Sequence, residues 1–176
     1  MSFEGAGRAA GVSIWRIESF EAKPYDPQAY GKFYTGDCYI VLHSVQTPGP
    51  LEHTLYFWLG SESSQDEQGS AALLAVELDD KLGGAAVQVR EQGEFESAGF
   101  LGLFKSIQFL KGGVKSGFNH VDRDEHDTRL FRLKGARVVT MVQTDVAAKS
   151  LNSGDVFVLD LKDVIYQVRG DSGAGD

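Results

Sequence analysis

The sequence contains one cysteine and no long apolar run. Cys38 has no second cysteine with which to form an internal disulfide, and this favours a protein of the reducing cytoplasm. No segment approaches the roughly 20 consecutive apolar residues that a membrane-spanning helix requires. The opening residues, MSFEGAGRAAG, also lack the apolar core of a secretory signal. These absences predict a cytoplasmic protein without a transmembrane segment.

Basic residues are outnumbered, because 17 Lys and Arg face 25 Asp and Glu, for a formal net charge of −8. Nucleic-acid binding depends on clustered basic side chains that pair with phosphates. The charge balance therefore argues against a DNA or RNA partner, and it favours cations or a protein with a basic surface.

Recognisable catalytic motifs are also missing. The sequence has no HExxH pair, no P-loop and no readable Ser-His-Asp arrangement, so it predicts no enzymatic activity. A metal-dependent hydrolase is the least favoured alternative. It would have to draw on acids and histidines that lie on separate predicted elements: Asp37, Glu67, Asp79, Asp80, His43, His53, His120 and His126.

Apolar residues make up 42% of the 176 residues, which is enough for a substantial core. Residues 38–45 form a continuous apolar run, typical of a strand buried on both faces, and 53–59 are predicted to pair with it as a central antiparallel hairpin. Residues 22–30 are predicted to be a loop and 86–91 an edge strand. Other segments are predicted as strands at 13–19, 107–110, 129–134, 137–144 and 155–161, and as a short helix at 97–104.

A long helix is bounded by strong local signals. Ser64 and Glu67 have the spacing of a capping box, in which each side chain accepts a hydrogen bond from the other residue's backbone N–H. Gly83 and Gly84 supply the stop. One face carries the apolar residues expected of a helix that packs on its own domain: Ala71, Leu74, Ala75, Leu78 and Leu82. We therefore expect an α+β fold, with a central mixed sheet of about five strands between one long and one short helix.

A second apolar patch lies on another side of this helix. It consists of Ala72, Leu73 and Val76, bordered by Glu77, Asp79 and Asp80. Three carboxylates beside Val76 would be costly to bury without partners, so this face is predicted to reach solvent, a cation or another protein. The alternative, a helix covered on all sides by the core, stays open at this point.

The sequence also predicts a division of the chain. We expect four segments: a flexible N-terminus at 1–10, a first domain at 11–120, an acidic linker at 121–128, and part of a second domain at 129–176. Gly154 and Asp155, followed by a strand, repeat the order seen at Gly36 and Asp37. The last segment is therefore interpreted as a repeat that lacks its long helix.

Several short motifs follow one another in a distinctive order. They are IWRIE at 14–18, YTGDCYI at 34–40, YFWLG at 56–60, SQDE at 64–67, ELDD at 77–80, VQVRE at 87–91, FES at 95–97, and GGV with SGF at 112–118. With these motifs the chain resembles the gelsolin/villin/severin/fragmin family of calcium-regulated actin-binding proteins. The resemblance is to the family's first, actin-monomer-binding domain, followed by the first half of its second domain.

The resemblance implies a function for the long helix. In this family the helix docks into the hydrophobic cleft between two actin subdomains, binds monomers and caps filament barbed ends, as part of a severing and capping protein. The positions that correspond to actin contacts are Gln65, Leu73, Val76, Glu77, Asp80 and Phe118. Severing needs a second domain that binds the filament side, so we expect it to be weak or absent for this chain alone. A gelsolin-like scaffold or trafficking module without actin binding is the alternative.

The resemblance also implies calcium as a cofactor, held by oxygen ligands. An internal site would use Gly36, Asp37, Glu67 and Val114, with the glycine and valine contributing carbonyl oxygens. A second site, shared with actin, would use Asp79, Gly84 and Ala86, and actin would donate a further carboxylate. Without the family match, Asp37 reads as a turn residue, Asp79 as a solvated acid and Glu67 as a capping partner.

Phosphoinositide lipids are a further possible partner implied by the resemblance, through basic side chains that pair with phosphates. The corresponding residues are Lys105, Lys111, Arg129, Arg132, Lys134 and Arg137. The first segment, 105–111, has only two lysines, and the alternating charges of the second are equally typical of the solvent face of a strand.

Overall fold

The computed structural model describes residues 3–113, 127–135 and 137–170. The strands in chain order are β1 Gly11–Glu18, β2 Glu21–Pro24, β3 Lys32–Tyr34, β4 Cys38–Val45, β5 Glu52–Leu59, β6 Val87–Gln92, β7 Ile107–Leu110, β8 Arg129–Lys134, β9 Thr140–Thr144, β10 Val156–Asp160 and β11 Ile165–Arg169. The helices are α1 Gln65–Lys81 and α2 Ala98–Leu101, with short 3-10 turns at Pro27–Ala29 and Ala148–Ser150. No helix in the described ranges is long and apolar enough to cross a membrane.

The first sheet has five strands in the order β2-β1-β4-β5-β6. β4 lies at its centre, antiparallel to both β1 and β5, while β6 runs parallel to β5 at one edge. The predicted central hairpin and the edge strand are therefore confirmed, and β4 has the predicted bounds. β4 is buried on both faces because its apolar residues follow one another without a break.

Helices cover the two faces of this sheet. α1 packs on one face, mainly on β4 and β5, through Ala71, Leu74, Ala75 and Leu78. The other face carries an aromatic cluster that α2 and the second sheet cover: Phe33, Tyr39, Tyr56, Trp58, Phe100, Phe104 and Phe109. Phe33 is at its centre, in ring contact with Tyr39, Trp58 and Phe100. The sheet therefore lies between one long and one short helix, as predicted.

The second sheet has six strands in the order β11-β10-β8-β9-β7-β3. β7 pairs in parallel with β3 on one side and with β9 on the other. Strands from both predicted domains thus share one sheet. Lys111, just after β7, adds to this contact because its N–H donates to Gln143 Oε1 at 3.1 Å and its ammonium pairs with Asp145.

The structure corrects several sequence-based expectations. The predicted loop 22–30 contains β2, which ends at Pro24 on the edge of the first sheet, where a residue without an N–H is tolerated. The predicted sheet of about five strands included residues 107–110 as its fifth strand, but this strand, β7, belongs to the second sheet. β3 and β11 were not predicted, and the predicted helix 97–104 is shortened to α2. β9 begins at Thr140 rather than at residue 137.

The segment before β1 is packed against the domain at its start. Phe3, in the part of the chain expected to be flexible, is buried in the core beneath α1. Its ring meets Trp15 edge to face, with 5.1 Å between centroids. Ala6 lies against the same cluster.

Candidate functional site

The long helix α1 presents two different faces, as the sequence predicts. Leu74 is 9% exposed and packs in the core, whereas its neighbour Leu73 is 74% exposed and Val76 is 49% exposed. Gln65, about two turns before Leu73, and Asp80, about one turn after Val76, are also exposed. They lie on the same side of the helix as Leu73 and Val76. The prediction that this patch reaches solvent is confirmed. We call it the exposed stripe: Gln65, Leu73, Val76 and Asp80.

Glu77 lies beside the exposed stripe and is held by an ion pair. Lys81 Nζ is 2.6 Å from Glu77 Oε1, one helical turn away. Both side chains are about half exposed, so the pair adds little stability. Its effect is to give the Glu77 carboxylate a defined direction at the border of the stripe.

The start of α1 is formed by the predicted capping box. Ser64 Oγ accepts a hydrogen bond from the Glu67 N–H at 3.3 Å, and Glu67 Oε2 accepts one from the Ser64 N–H at 3.0 Å. The Ser64 hydroxyl also donates to Glu67 Oε2 at 2.7 Å. The cap therefore uses one carboxylate oxygen of Glu67, Oε2, for both of these bonds.

Asp37 lies near this helix start and is 2% exposed. Tyr39 Oη donates to Asp37 Oδ2 at 3.4 Å, and Arg16 Nη1 is 3.9 Å from the same oxygen. Burial raises the pKa of Tyr39 well above its ordinary value, so its hydroxyl remains a neutral donor. The Asp37 backbone is also fixed, because its carbonyl accepts from the Gly60 N–H at 3.0 Å.

Glycines create the space around Asp37. A Cβ at Gly113 would overlap Asp37 Oδ1, and a Cβ at Gly36 would overlap the carbonyl oxygen of Gly112. The Gly36 N–H donates to that same carbonyl at 2.7 Å. The turn before β4 and the turn after β7 are thus in direct contact at the Asp37 carboxylate.

The oxygen atoms of Gly36, Asp37 and Glu67 near the helix start are of the kind that could bind a hard cation such as calcium. Burial raises the pKa of the Cys38 thiol, and the negative charges of Glu67 and Asp37 raise it further. Carboxylate and carbonyl oxygens are the ligands that calcium prefers. Within the described residues, no three acidic, histidine or cysteine side chains are arranged so that they could hold a metal ion, so backbone carbonyls would have to complete such a site. Val114, the remaining predicted ligand, lies outside the described residues.

The end of α1 brings together the second predicted set of ligands. Asp79 Oδ1 accepts from the Ala86 N–H at 2.9 Å, and Asp79 Oδ2 accepts from Gln88 Nε2 at 2.8 Å. The Gly84 N–H donates to the Asp79 carbonyl at 2.8 Å. The loop after the helix is therefore wrapped around Asp79, so the two predicted calcium sites lie at opposite ends of α1.

Three of the six predicted lipid-binding residues line one cavity of about 420 Å³. They are Lys111, Arg132 and Lys134, and three carboxylates, Glu62, Glu94 and Glu96, line the same cavity. Its apolar lining residues include Trp58, Leu101, Phe109 and Val142. Arg132 Nε is buried and has no hydrogen-bond partner among the described residues. The other three are elsewhere: Lys105 lines a separate pocket, Arg129 pairs with Asp160 at 2.6 Å, and Arg137 is exposed.

Two carboxylates with defined partners were missed by the sequence analysis. Glu91 is buried and accepts from the Ser97 N–H at 2.8 Å and the Ser97 hydroxyl at 2.5 Å, which anchors the start of α2. Glu96 accepts from Trp58 Nε1 at 2.9 Å, and burial raises the pKa of Glu96. Ser97 before a short helical run was the available signal, since serine is a favoured N-cap.

Among the residues that the structure describes, the remaining predicted site residues form no catalytic arrangement. His43 and His53 lie on opposite faces of the β4–β5 hairpin, because His53 is paired with Ser44, the residue after His43. His120, His126 and the predicted actin contact Phe118 fall outside the described residues.

A layered α+β domain with a capped, two-faced helix is the fold of a gelsolin repeat, and residues 20–101 match the family model of that description. Cytoplasmic gelsolin of Homarus americanus is 51% identical over 173 residues, which is 97% of this chain and 23% of that protein. Gelsolin of Gallus gallus is 49% identical over 171 residues, 96% of this chain and 22% of that protein. Villin-5 of Arabidopsis thaliana is 46% identical over 171 residues, 96% of this chain and 18% of that protein.

A solved structure, the Thorarchaeota 2DGel3/rabbit actin complex, is similar with a TM-score of 0.49 and 28% identity, and the match covers 92% of this chain and 77% of that one. The chain belongs to the gelsolin/villin family, which confirms the resemblance and the α+β gelsolin-like fold. Proteins of this family are not enzymes, in agreement with the prediction. The chain spans less than a quarter of the length of these curated relatives.

Proposed function

We propose that the chain is a calcium-regulated actin-binding module of a filament capping and severing protein in the cytoplasmic actin cytoskeleton. The exposed stripe of α1 enters the hydrophobic cleft of an actin subunit, which binds monomers and blocks barbed ends. The observation that carries this proposal is the exposure of Leu73 and Val76 on a helix whose opposite face is fully packed. Apolar anchors at i, i+3 and i+4 are how an amphipathic helix binds a groove.

The acidic border of the exposed stripe supports a partner rather than a core contact. Glu77 and Asp80 remain in water beside Val76, so docking leaves their charges at the rim while the apolar side chains are covered. A scaffold module without actin binding would have no need to keep Leu73 exposed at the centre of such a surface.

The measurement that tests this proposal is elongation of actin filaments from barbed ends, with calcium and with chelator. We expect the protein to stop elongation at substoichiometric ratios to actin when calcium is present. The Leu73→Asp variant should no longer inhibit, so that filaments elongate at the rate of actin alone. Severing is expected to be slow, as followed by dilution-induced fragmentation. Normal elongation at saturating protein in both buffers would contradict the proposal and favour the scaffold alternative.

Calcium would be held at the two ends of α1 by the chain's own oxygens. At the helix start these are the Asp37 carboxylate, the Gly36 carbonyl and the second oxygen of Glu67. At the helix end they are Asp79 and the carbonyls of Gly84 and Ala86, with a further carboxylate from actin. Bound calcium would supply positive charge that offsets these acids next to the docking surface.

The internal calcium site can be tested without actin. A ligand at a hundredfold its dissociation constant stabilises a fold by about 2.7 kcal/mol. We expect millimolar calcium to raise the free energy of unfolding of the wild type and not of Asp37→Asn, which keeps the shape of the side chain. Asp79→Asn is the matched control, since the shared site is incomplete without actin. Equal calcium stabilisation of wild type and Asp37→Asn would contradict the internal site.

We propose a phosphoinositide headgroup as a second ligand. The proposal is supported by Lys111, Arg132 and Lys134, which line one cavity together with the carboxylates Glu62, Glu94 and Glu96. We expect vesicles containing phosphatidylinositol bisphosphate to bind the wild type more tightly than phosphatidylserine vesicles of equal charge. The double variant Arg132→Gln, Lys134→Gln should lose this preference, while Arg137→Gln, outside the cavity, should keep it. Equal binding of both vesicles would contradict the proposal.

A further inference from the structure

The segment before β1, residues 3–10, is packed against the last turn of α1, and we call it the N-terminal arm. Phe3 is 6% exposed, with its ring edge to face against Trp15. Lys81 Nζ lies over the Phe3 ring, 5.4 Å from its centroid. A cation over an aromatic face is an attractive contact, so the end of α1 is attached to the arm by packing and by charge.

The middle of the arm fits into a slot between α1 and β5. A Cβ at Gly7 would overlap Leu82 Cδ2 and would lie 3.1 Å from His53 Cε1. Leu82 is the C-cap residue that follows α1, and His53 is hydrogen-bonded to Ser44, with 2.9 Å between Ser44 Oγ and His53 Nδ1. Gly7 also has φ +71°, a backbone conformation that glycine adopts most easily.

The arm supports a part of α1 that has few other anchors. The buried residues of the helix end at Leu78, one turn before Lys81. Beyond Leu78, the described contacts of the helix are made by the half-buried Leu82, by Lys81 with the arm, and by Asp79, which accepts hydrogen bonds from the Ala86 N–H and from Gln88 on β6. This same turn carries Glu77, which pairs with Lys81, and Asp79, around which the following loop is wrapped.

We propose that Phe3 and Gly7 are positioning residues for the docking helix. The Phe3 ring holds the Lys81 ammonium, Lys81 directs the Glu77 carboxylate, and Gly7 lets the arm lie against Leu82. The arm thereby fixes the last turn of α1 in the orientation in which its acids meet the partner. This inference rests on the proposed docking of α1 on actin.

Four variants separate the steps of this argument. Phe3→Ala removes both the packing and the ring, whereas Phe3→Leu keeps apolar bulk and removes only the ring face. Gly7→Ala adds a methyl group that forces the end of the Leu82 side chain to move. Gly5→Ala is the matched control, since Gly5 also has a positive φ, +76°, but nothing lies within 4 Å of its Cβ position. Both glycine variants carry the backbone strain, and only Gly7→Ala displaces the Leu82 side chain.

Two measurements are made at a temperature at which every variant is fully folded. The first is affinity for monomeric actin in calcium, where Phe3→Ala and Gly7→Ala should bind about tenfold more weakly, Phe3→Leu less so, and Gly5→Ala like the wild type. The second is hydrogen exchange of the Leu82, Gly83 and Gly84 amides, which donate to the carbonyls of residues 78–80. Their exchange should accelerate in Phe3→Ala and Gly7→Ala, while the Gln68 amide at the helix start stays protected.

The outcomes distinguish the inference from the proposed function. Unchanged affinity in the two disruptive variants, with wild type binding actin, overturns the positioning role and leaves the proposed function standing. Faster exchange throughout the domain, with unchanged affinity, shows a general structural role and also overturns it. If wild type does not bind actin, the proposed function fails, and exchange at the last turn still decides whether the arm holds the helix.

Discussion

Leu73 and Leu74 are adjacent in α1 and have opposite surroundings, which makes them a matched pair for testing the exposed stripe. Leu73 is 74% exposed and Leu74 is 9% exposed. Full burial of a leucine side chain is worth about 1.5–3 kcal/mol, so a partner that covered Leu73 would gain about three quarters of this, roughly 1–2 kcal/mol. Leu73→Ala is therefore expected to raise the dissociation constant for actin by about 5–30-fold. Its free energy of unfolding should change by less than about 0.5 kcal/mol.

Leu74→Ala should behave in the opposite way. It leaves a cavity beneath the helix and should lower the free energy of unfolding by about 2–5 kcal/mol. At temperatures where it is folded, its actin affinity should stay close to that of the wild type. Affinity is measured by titration of fluorescently labelled monomeric actin, and stability by urea unfolding followed by tryptophan fluorescence. The reasoning is refuted if Leu73→Ala binds as tightly as the wild type, or if it loses as much stability as Leu74→Ala.

Two further predictions concern single contacts. Ser64→Ala removes the N-cap of α1 and should lower the free energy of unfolding by about 1 kcal/mol in urea titrations; an unchanged midpoint would show that the capping box contributes nothing. Burial raises the pKa of Glu96 above its ordinary value of 4.5, so the folded state keeps that proton to higher pH than the unfolded state does. The free energy of unfolding should therefore fall as pH rises from about 4.5 through the folded-state pKa, because the ionised carboxylate is disfavoured in the fold. Glu96→Gln, which keeps an oxygen acceptor for Trp58, should flatten this part of the pH profile; an identical slope in the variant would count against the assignment.

Local signals in the sequence predicted the elements that form from neighbouring residues. The capping box and glycine stop bounded α1, and the periodicity of its apolar residues separated Leu74 from Leu73. The uninterrupted apolar run of β4 indicated a strand covered on both faces. Each of these features depends on a few consecutive residues, so the sequence contains the information directly.

Elements defined by distant partners were not predictable in this way. β3 has three residues and exists as a strand because β7, far along the chain, pairs with it. β11 is exposed at every position, so it has no alternation of apolar and polar residues to identify it. The site shows the same limit: the resemblance implied Asp37, but its carboxylate is surrounded by Arg16 of β1, Tyr39 of β4 and Gly113 of the turn after β7. These residues come together only in the folded chain.

The position of β7 inside the second sheet has a practical consequence for work with shorter fragments. A polypeptide cut after Gly113 would lose β9 and leave one side of Ile107–Leu110 with unpaired backbone groups. This strand is largely apolar, and an open apolar edge is a template for pairing with another molecule. Recombinant fragments that stop there should aggregate during purification, whereas those that continue through Arg169 keep the second sheet whole and should remain monodisperse.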